Sequence, residues 1–249
     1  MLHYRRYGKG TPLIMQHGFL GGGGYWVPQL PAFGQCFDVV APDLPGFAGS
    51  AGEPAQDSIE GMAGAVITLA DALNVERFHL MGHSMGGMVA QQIALDHPDR
   101  VRKLVLYGTA SLGDLPKRFE TLAASRARIQ QEGIEACAQR IIPTWFVEGK
   151  AAPYYDLCYE AGKGVTAAAA DKALTALGKW NVGARLGELK MPTLVICGDR
   201  DRSISLDQAV ALSEGIKGSR LCIAPGCAHN VHLERPEFFA HAVREFLLE

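Results

Sequence analysis

The chain has 249 residues, of which 48% are hydrophobic and 20% are charged, and its formal net charge is −2. This composition is ordinary for a globular protein and allows one large core or two small ones. The small net charge gives no support for nucleic acid or an anionic membrane as a partner. We also expect no membrane span and no secretory leader, because no apolar run is long enough and the first residues lack an apolar signal core.

The six cysteines indicate a cellular compartment. Most of them lie in apolar stretches, and only Cys222 and Cys227 are close together in the sequence. No Cys-x-x-Cys occurs, so the cysteines do not favour a zinc site. Buried free thiols are typical of a reducing environment. The sequence therefore predicts a cytoplasmic protein without disulfides.

Strands and helices alternate through the first 107 residues. A helix is predicted from Ser58, where apolar residues recur at helical spacing, and another at 88–97, ending before Pro98. Aliphatic strands that alternate with helices are typical of a parallel sheet covered on both faces. The predicted strands of this half are 2–7, 13–16, 37–41, 78–81 and 101–107.

The alternation stops between about 110 and 186 and then resumes. This alanine-rich section has predicted helices around 116–140 and 166–178 and no convincing strand. We interpret it as a helical cap over the strand ends, which gives a core of 1–110 and 187–249 with an inserted cap of 111–186, one domain overall. Beyond it the sequence predicts strands at 193–197 and 221–224, a capping box Ser205-x-x-Gln208 and a terminal helix opening at Pro236.

A glycine run at 21–24 raises the question of a phosphate-binding loop. No Gly-Lys-Ser/Thr follows it, and no complete Gly-x-Gly-x-x-Gly occurs there. Both patterns place glycines where the backbone must approach phosphate groups. We therefore expect no nucleotide site and no cofactor.

The sequence Gly82-x-Ser84-x-Gly86 follows a predicted strand and precedes a predicted helix. A sharp strand-to-helix turn would present the Ser84 hydroxyl above the sheet edge, and small flanking residues let the chain segments pass closely. The alternative is a turn serine that caps an ordinary helix. The chemical interpretation needs a base and an acid elsewhere in the chain.

Candidates for both groups follow later strands. His229 follows the last predicted strand, with His232 as a rival nearer the next helix. The carboxylate is Asp201 or Asp199, and we favour Asp201 because it stands farther out in its loop, whereas Asp199 suits a turn former. The order Ser84, Asp201, His229 is that of α/β-hydrolases.

Attack on a carbonyl would also need donors for an oxyanion. The backbone N–H of Met85 follows the serine, and that of Phe19 belongs to a turn at the neighbouring strand end. His17 is predicted to hydrogen-bond its own loop. His83 is predicted to pack against the site or to line its pocket.

Four motifs carry a resemblance to the α/β-hydrolase superfamily over nearly the full length. One departure is Ala48, where the family often has glycine. The motifs, in chain order, are His17-Gly18-Phe19, Asp43-Leu44-Pro45-Gly46-x-x-x-Ser50, Gly82-His83-Ser84-Met85-Gly86-Gly87, and Gly198-x-x-Asp201 with Gly226-x-x-His229.

This resemblance implies an α/β-hydrolase fold, a mostly parallel sheet flanked by helices, with the helical cap inserted after the sixth core strand. It implies Ser84 as nucleophile, His229 as base and Asp201 as orienting acid, with Phe19 and Met85 as oxyanion donors. Within the superfamily the chain looks most like the branch of 3-oxoadipate enol-lactonases and small carboxylesterases, and its segment 131–146 resembles the cap of those lactonases.

The function implied is cofactor-free hydrolysis of a small ester or lactone through an acyl-enzyme. Alternatives are cleavage of carbon–carbon bonds in ring-fission products, perhydrolase or haloperoxidase activity, and a non-catalytic receptor on the same fold. Trp145 and His83 are candidate substrate contacts, although the cap aromatics suit a small cap core equally well. A homo-oligomer is left open.

Overall fold

The computed structural model describes residues 1–115 and 120–249, and a seven-stranded sheet crosses this part of the chain. The strands lie in the order β1-β3-β2-β4-β5-β6-β7, with β1 antiparallel to β3 and every other neighbouring pair parallel. The predicted, mostly parallel sheet is confirmed. In chain order the strands are β1 (Tyr4–Tyr7), β2 (Thr11–Gln16), β3 (Phe37–Pro42), β4 (Phe78–His83), β5 (Val101–Tyr107), β6 (Thr193–Gly198) and β7 (Arg220–Ala224).

Helices cover both faces of this sheet. The Ser58 hydroxyl caps one of them by accepting the Gly61 N–H at 3.1 Å. Pro236 occupies the first turn of the last helix, as expected. No helix among the described residues is both long and apolar enough to cross a membrane. The helices are α1 (Leu30–Phe33), α2 (Ile59–Ala72), α3 (Met85–Asp96), α4 (Leu122–Ile141), α5 (Tyr155–Lys163), α6 (Ala167–Lys179), α7 (Leu206–Gly215), α8 (Val231–Glu234) and α9 (Pro236–Leu248).

Alternate residues of the strands pack into two hydrophobic cores, one on each face of the sheet. Leu13 and Met15 of β2 belong to a cluster with Phe239 of α9, whereas Ile14 belongs to a cluster with α2 and α3. Successive side chains of a strand point to opposite faces of a sheet. The continuous aliphatic runs in the sequence therefore reflect strands buried on both faces.

Several predicted boundaries need correction. Helix α3 begins at Met85, three residues before the predicted start, because the chain turns directly into the helix after Ser84. The capping box at Ser205 is wrong: Ser205 is the N-cap of α7, but its side chain makes no capping hydrogen bond. Residues 116–119 of the predicted cap helix lie outside the described part of the chain.

The helical insertion lies between β5 and β6 and contains α4, α5 and α6. It follows the fifth strand of the chain, so its expected position after a sixth strand is wrong for this sheet. Residues of α4 and α6 belong to the same hydrophobic cluster as α2 and α3, so the insertion packs onto the sheet layer beneath it. The division into a core of 1–110 and 187–249 and a cap of 111–186 stays a prediction.

Candidate active site

Ser84 lies in a strained turn between β4 and α3. Its backbone has φ 56° and ψ −122°, a conformation that non-glycine residues rarely adopt. A Cβ on Gly82 would stand 2.1 Å from the carbonyl oxygen of Gly86, and one on Gly86 would stand 2.3 Å from that of His17. Glycine is therefore required at both positions, because the start of α3 packs directly on the strand ends.

His229 and Asp201 meet at the same edge of the sheet. Nδ1 of His229 lies 2.7 Å from Oδ2 of Asp201, and their side chains are only 3% and 1% exposed. The other carboxylate oxygen of Asp201 accepts the N–H groups of Ser203 and Ile204 at 2.7 and 3.0 Å. Because an ionised carboxylate only accepts hydrogen bonds, Nδ1 of His229 carries the proton and Nε2 keeps its lone pair.

The two rival residues have other partners. Asp199 accepts the N–H groups of Gly226 and Cys227 with a single oxygen, at 2.7 and 3.2 Å, which is the turn-forming role foreseen for it. His232 is fully buried, and its Nδ1 lies 2.9 Å from the Tyr107 hydroxyl. The structure thus brings Asp201, rather than Asp199, to His229, and it pairs His232 with Tyr107.

A cavity of about 60 Å³ lies above the turn and is bordered by both Ser84 and His229. The two candidate substrate contacts, Trp145 and His83, border it as well. Apolar side chains from α3, α4 and α6 close it, so the helical insertion supplies part of its wall. Its other lining residues are Gly18, Phe19, Tyr25, Met85, Met88, Ile141, Leu177, Ser203 and Ile204.

The backbone groups of Phe19 and Met85 are suited to bind an anion. Both residues border the cavity, and within the described residues neither N–H donates a hydrogen bond. The Met85 N–H belongs to the first turn of α3, where the helix dipole favours negative charge. His17 supports this region, since its Nδ1 bonds the Gly18 carbonyl at 2.8 Å and its Nε2 accepts the Leu44 N–H at 2.9 Å.

Asp43 stabilises the glycine-rich loop beside the site. Its buried carboxylate accepts the N–H of Gly23 at 2.6 Å and of Gly49 at 3.1 Å, and it also pairs with His3 at 2.6 Å. Ala48 has φ 42°, in the left-handed region that favours glycine. The departure from the family pattern at Ala48 is therefore a point of backbone strain.

The carbonyl of His229 accepts two hydrogen bonds that the sequence did not reveal. Nε2 of His83 donates to it at 3.2 Å, and the hydroxyl of Tyr107 donates to it at 2.9 Å. The His83 ring packs against the rings of Tyr107 and His229, with a centroid distance of 4.4 Å to each. Burial holds the pKa of His83 well below its usual range, so the ring stays neutral beside His229.

Buried neutral histidines predict a pH-dependent stability. Burial lowers the pKa of His232 to about 3, against 6.5 for an exposed histidine. The unfolded chain therefore binds a proton that the folded chain excludes, and the free energy of unfolding falls as the pH drops from 6.5 towards 3. We expect His232→Gln to reduce the slope of the free energy of unfolding against pH by about 1.4 kcal/mol per pH unit. Urea titrations between pH 4 and 6 measure this slope. Equal slopes in the two proteins would contradict this.

Comparison with known proteins places this geometry in a family. The family model described as alpha/beta hydrolase fold matches residues 11–236. The chain is 28% identical to a putative carbamate hydrolase, RutD, of Agrobacterium fabrum, over 99% of this chain and 97% of that protein. It is 30% identical to a 2-hydroxy-6-oxo-6-phenylhexa-2,4-dienoate hydrolase of Comamonas testosteroni, over 99% and 91% of the two chains.

A solved structure agrees with this assignment. The enol-lactonase from Burkholderia xenovorans LB400 superposes with a TM-score of 0.91 at 25% identity, covering 100% of this chain and 96% of that one. The family match spans most of the sequence, and the two relatives named above are hydrolases that align along nearly their whole length. The chain therefore belongs to the α/β-hydrolase family and is a hydrolase.

Proposed function

We propose that the protein is a serine hydrolase that cleaves a small ester or lactone through an acyl-enzyme, without a cofactor. Ser84 is the nucleophile, His229 the general base and Asp201 the group that orients His229. The observation that supports this most is the shared cavity. Ser84 and His229 both border it, while Nδ1 of His229 lies 2.7 Å from Asp201.

The chemistry follows from the protonation of the imidazole. Nε2 of His229 takes the proton of the Ser84 hydroxyl as the oxygen attacks the carbonyl carbon, and Asp201 stabilises the imidazolium that forms. The N–H groups of Phe19 and Met85 bind the oxyanion, each worth about 3 kcal/mol of the barrier. His229 then protonates the leaving alkoxide, and the same residue later activates the water that releases the acid.

The size and walls of the cavity support a small substrate. Pockets for drug-sized ligands measure roughly 300–1,000 Å³, whereas this one measures about 60 Å³ and is lined mainly by apolar side chains. Part of that wall comes from the helical insertion, so we propose that residues 111–186 act as a cap that sets specificity. Likeness to an enol-lactonase supports lactones within this class.

A second candidate is hydrolysis of a carbon–carbon bond in a ring-fission product. It is favoured by the relative from Comamonas testosteroni, whose name specifies a hydrolase of such a dienoate. The same serine and histidine would line the reaction site. The nature of the bond that is cleaved separates the two candidates.

One substrate panel with one labelling experiment tests the proposal. We expect p-nitrophenyl acetate and a small lactone to be hydrolysed with a higher kcat/KM than a coloured ring-fission dienoate or a simple carbamate. A fluorophosphonate should add covalently to the peptide that contains Ser84, as seen by mass spectrometry. Preference for the dienoate would favour the second candidate. Absence of the adduct at neutral pH would favour a non-catalytic protein.

A further inference from the structure

Residues 145–147, which we call the strap, connect the helical insertion to the loops that carry the proposed acid and base. The carbonyl of Trp145 accepts the N–H of Asn230, the residue after His229, at 3.1 Å. The carbonyl of Phe146 accepts a hydrogen bond from Nη2 of Arg202, the residue after Asp201, at 2.7 Å. The strap is therefore attached directly beside both catalytic candidates.

Glu234 adds a third link, made from the last residue of α8. One of its oxygens accepts the N–H of Val147 at 2.6 Å, and the other accepts the N–H of Ala228 at 2.7 Å. Val147 belongs to the strap, whereas Ala228 immediately precedes His229. One half-buried carboxylate thus accepts two charge-assisted hydrogen bonds. They make a strong and directional connection between the strap and the loop before His229.

We propose that Glu234 is a positioning residue that couples the strap to the loop of residues 225–230. It acts through Ala228 on the imidazole of His229 and through Val147 on Trp145, which forms part of the cavity wall. Trp145 in the cavity wall and the imidazole of His229 thereby keep a fixed distance and orientation to each other. This inference rests on the proposed function, since it assigns a role within the same site.

The chemistry of the carboxylate provides a sharp variant and a matched control. Each oxygen of Glu234 accepts a different N–H, so Glu234→Gln places an NH2 group against one of the two donors and breaks that link. Asp199 also accepts two N–H groups of the same loop, but with one oxygen, so Asp199→Asn keeps both bonds. Asp199 makes no hydrogen bond with the strap among the described residues.

Two spectroscopic signals report the coupling independently of turnover. With 5-fluorotryptophan incorporated, the Trp145 resonance can be assigned by single Trp→Phe replacements against Trp26 and Trp180. The Nδ1 proton of His229 gives a downfield proton resonance through its bond to Asp201. A merely structural loss of stability would not move the Trp145 and His229 signals together while leaving those of Trp26 and Trp180 in place.

We expect Glu234→Gln to lower kcat for ester hydrolysis by about 10- to 100-fold, because small misplacements of reacting groups cost rates of this order. KM should change less. The Trp145 and His229 resonances should both shift, whereas Asp199→Asn should leave both in place. Wild-type signals and kcat in Glu234→Gln, or equal changes in Asp199→Asn, would overturn the proposal.

If Glu234→Gln does not fold, a second variant tests the coupling. Val147→Pro removes the N–H that the strap donates to Glu234. The hydrogen bond from the Ala228 N–H to Glu234 stays intact. A shifted His229 resonance in Val147→Pro would support the coupling, and an unshifted one with wild-type kcat would overturn it. Were the wild-type protein inactive towards every ester and lactone, the two resonances would still decide the coupling, and only the proposed function would fail.

Discussion

Replacing Ser84 by alanine is expected to lower kcat for ester hydrolysis by about 10⁶-fold, the scale seen when the nucleophile of a serine enzyme is removed. In the proposed mechanism no acyl-enzyme can form without Ser84, and only the oxyanion donors and substrate binding remain. Folding should persist, since the substitution removes one oxygen from a half-buried side chain. Initial rates at saturating p-nitrophenyl acetate, with circular dichroism as the folding check, measure the effect.

Ser203 supplies the matched control for the nucleophile. It borders the same cavity and also carries a hydroxyl. Its backbone lacks the positive φ of Ser84, and it lies two residues after Asp201 rather than directly between the end of a strand and the start of a helix. Ser203→Ala should therefore keep the fluorophosphonate adduct on Ser84, and Ser84→Ala should lose it. Labelling that survives in Ser84→Ala and disappears in Ser203→Ala would reassign the nucleophile.

Asp201→Asn should have the second largest effect, a loss of about 10⁴-fold in kcat. An amide can donate its N–H to Nδ1 of His229, which moves the imidazole proton to Nε2. That nitrogen then has no lone pair to accept the proton of Ser84. The pH profile of kcat, measured with p-nitrophenyl acetate, should show the loss at neutral pH without loss of the folded state.

Asp199→Asn provides the contrast, because it changes a carboxylate two residues away to the same amide. It should keep kcat within about threefold, equivalent to about 0.65 kcal/mol of barrier. Asparagine retains the oxygen that accepts the N–H groups of Gly226 and Cys227. A larger loss in Asp199→Asn than in Asp201→Asn would mean that the acid has been assigned to the wrong residue.

Local patterns predicted most of the sheet and helices of this protein. Strand β5 was predicted at its observed bounds, because an unbroken aliphatic run between turn residues leaves little choice. The sequence places the start of α3 three residues too late, since Gly86 and Gly87 are poor helix formers. That helix is stabilised by packing against β2 and β4, which no local pattern contains.

Hydrogen bonds between distant segments show a different kind of limit to sequence-based prediction. Glu234 lies five residues after His229 in the sequence, but nothing local indicates that its carboxylate bonds Val147, 87 residues away in the chain. Tyr107 looked like an ordinary strand residue, and its hydroxyl reaches the His229 carbonyl only in the folded protein. Such contacts have no sequence signature, because they join segments brought together by the sheet.

The sequence by itself determined the class of fold, the strand-end positions of Ser84, Asp201 and His229, and the glycines that the serine turn requires. These features depend on backbone preferences and side-chain periodicity, which act over a few residues. Only the tertiary structure decided that Asp201 rather than Asp199 meets His229, that His232 is buried elsewhere, and that the helical insertion closes the cavity. Those outcomes depend on side-chain directions and on contacts between distant segments, which are set when the strands pair and the helices pack.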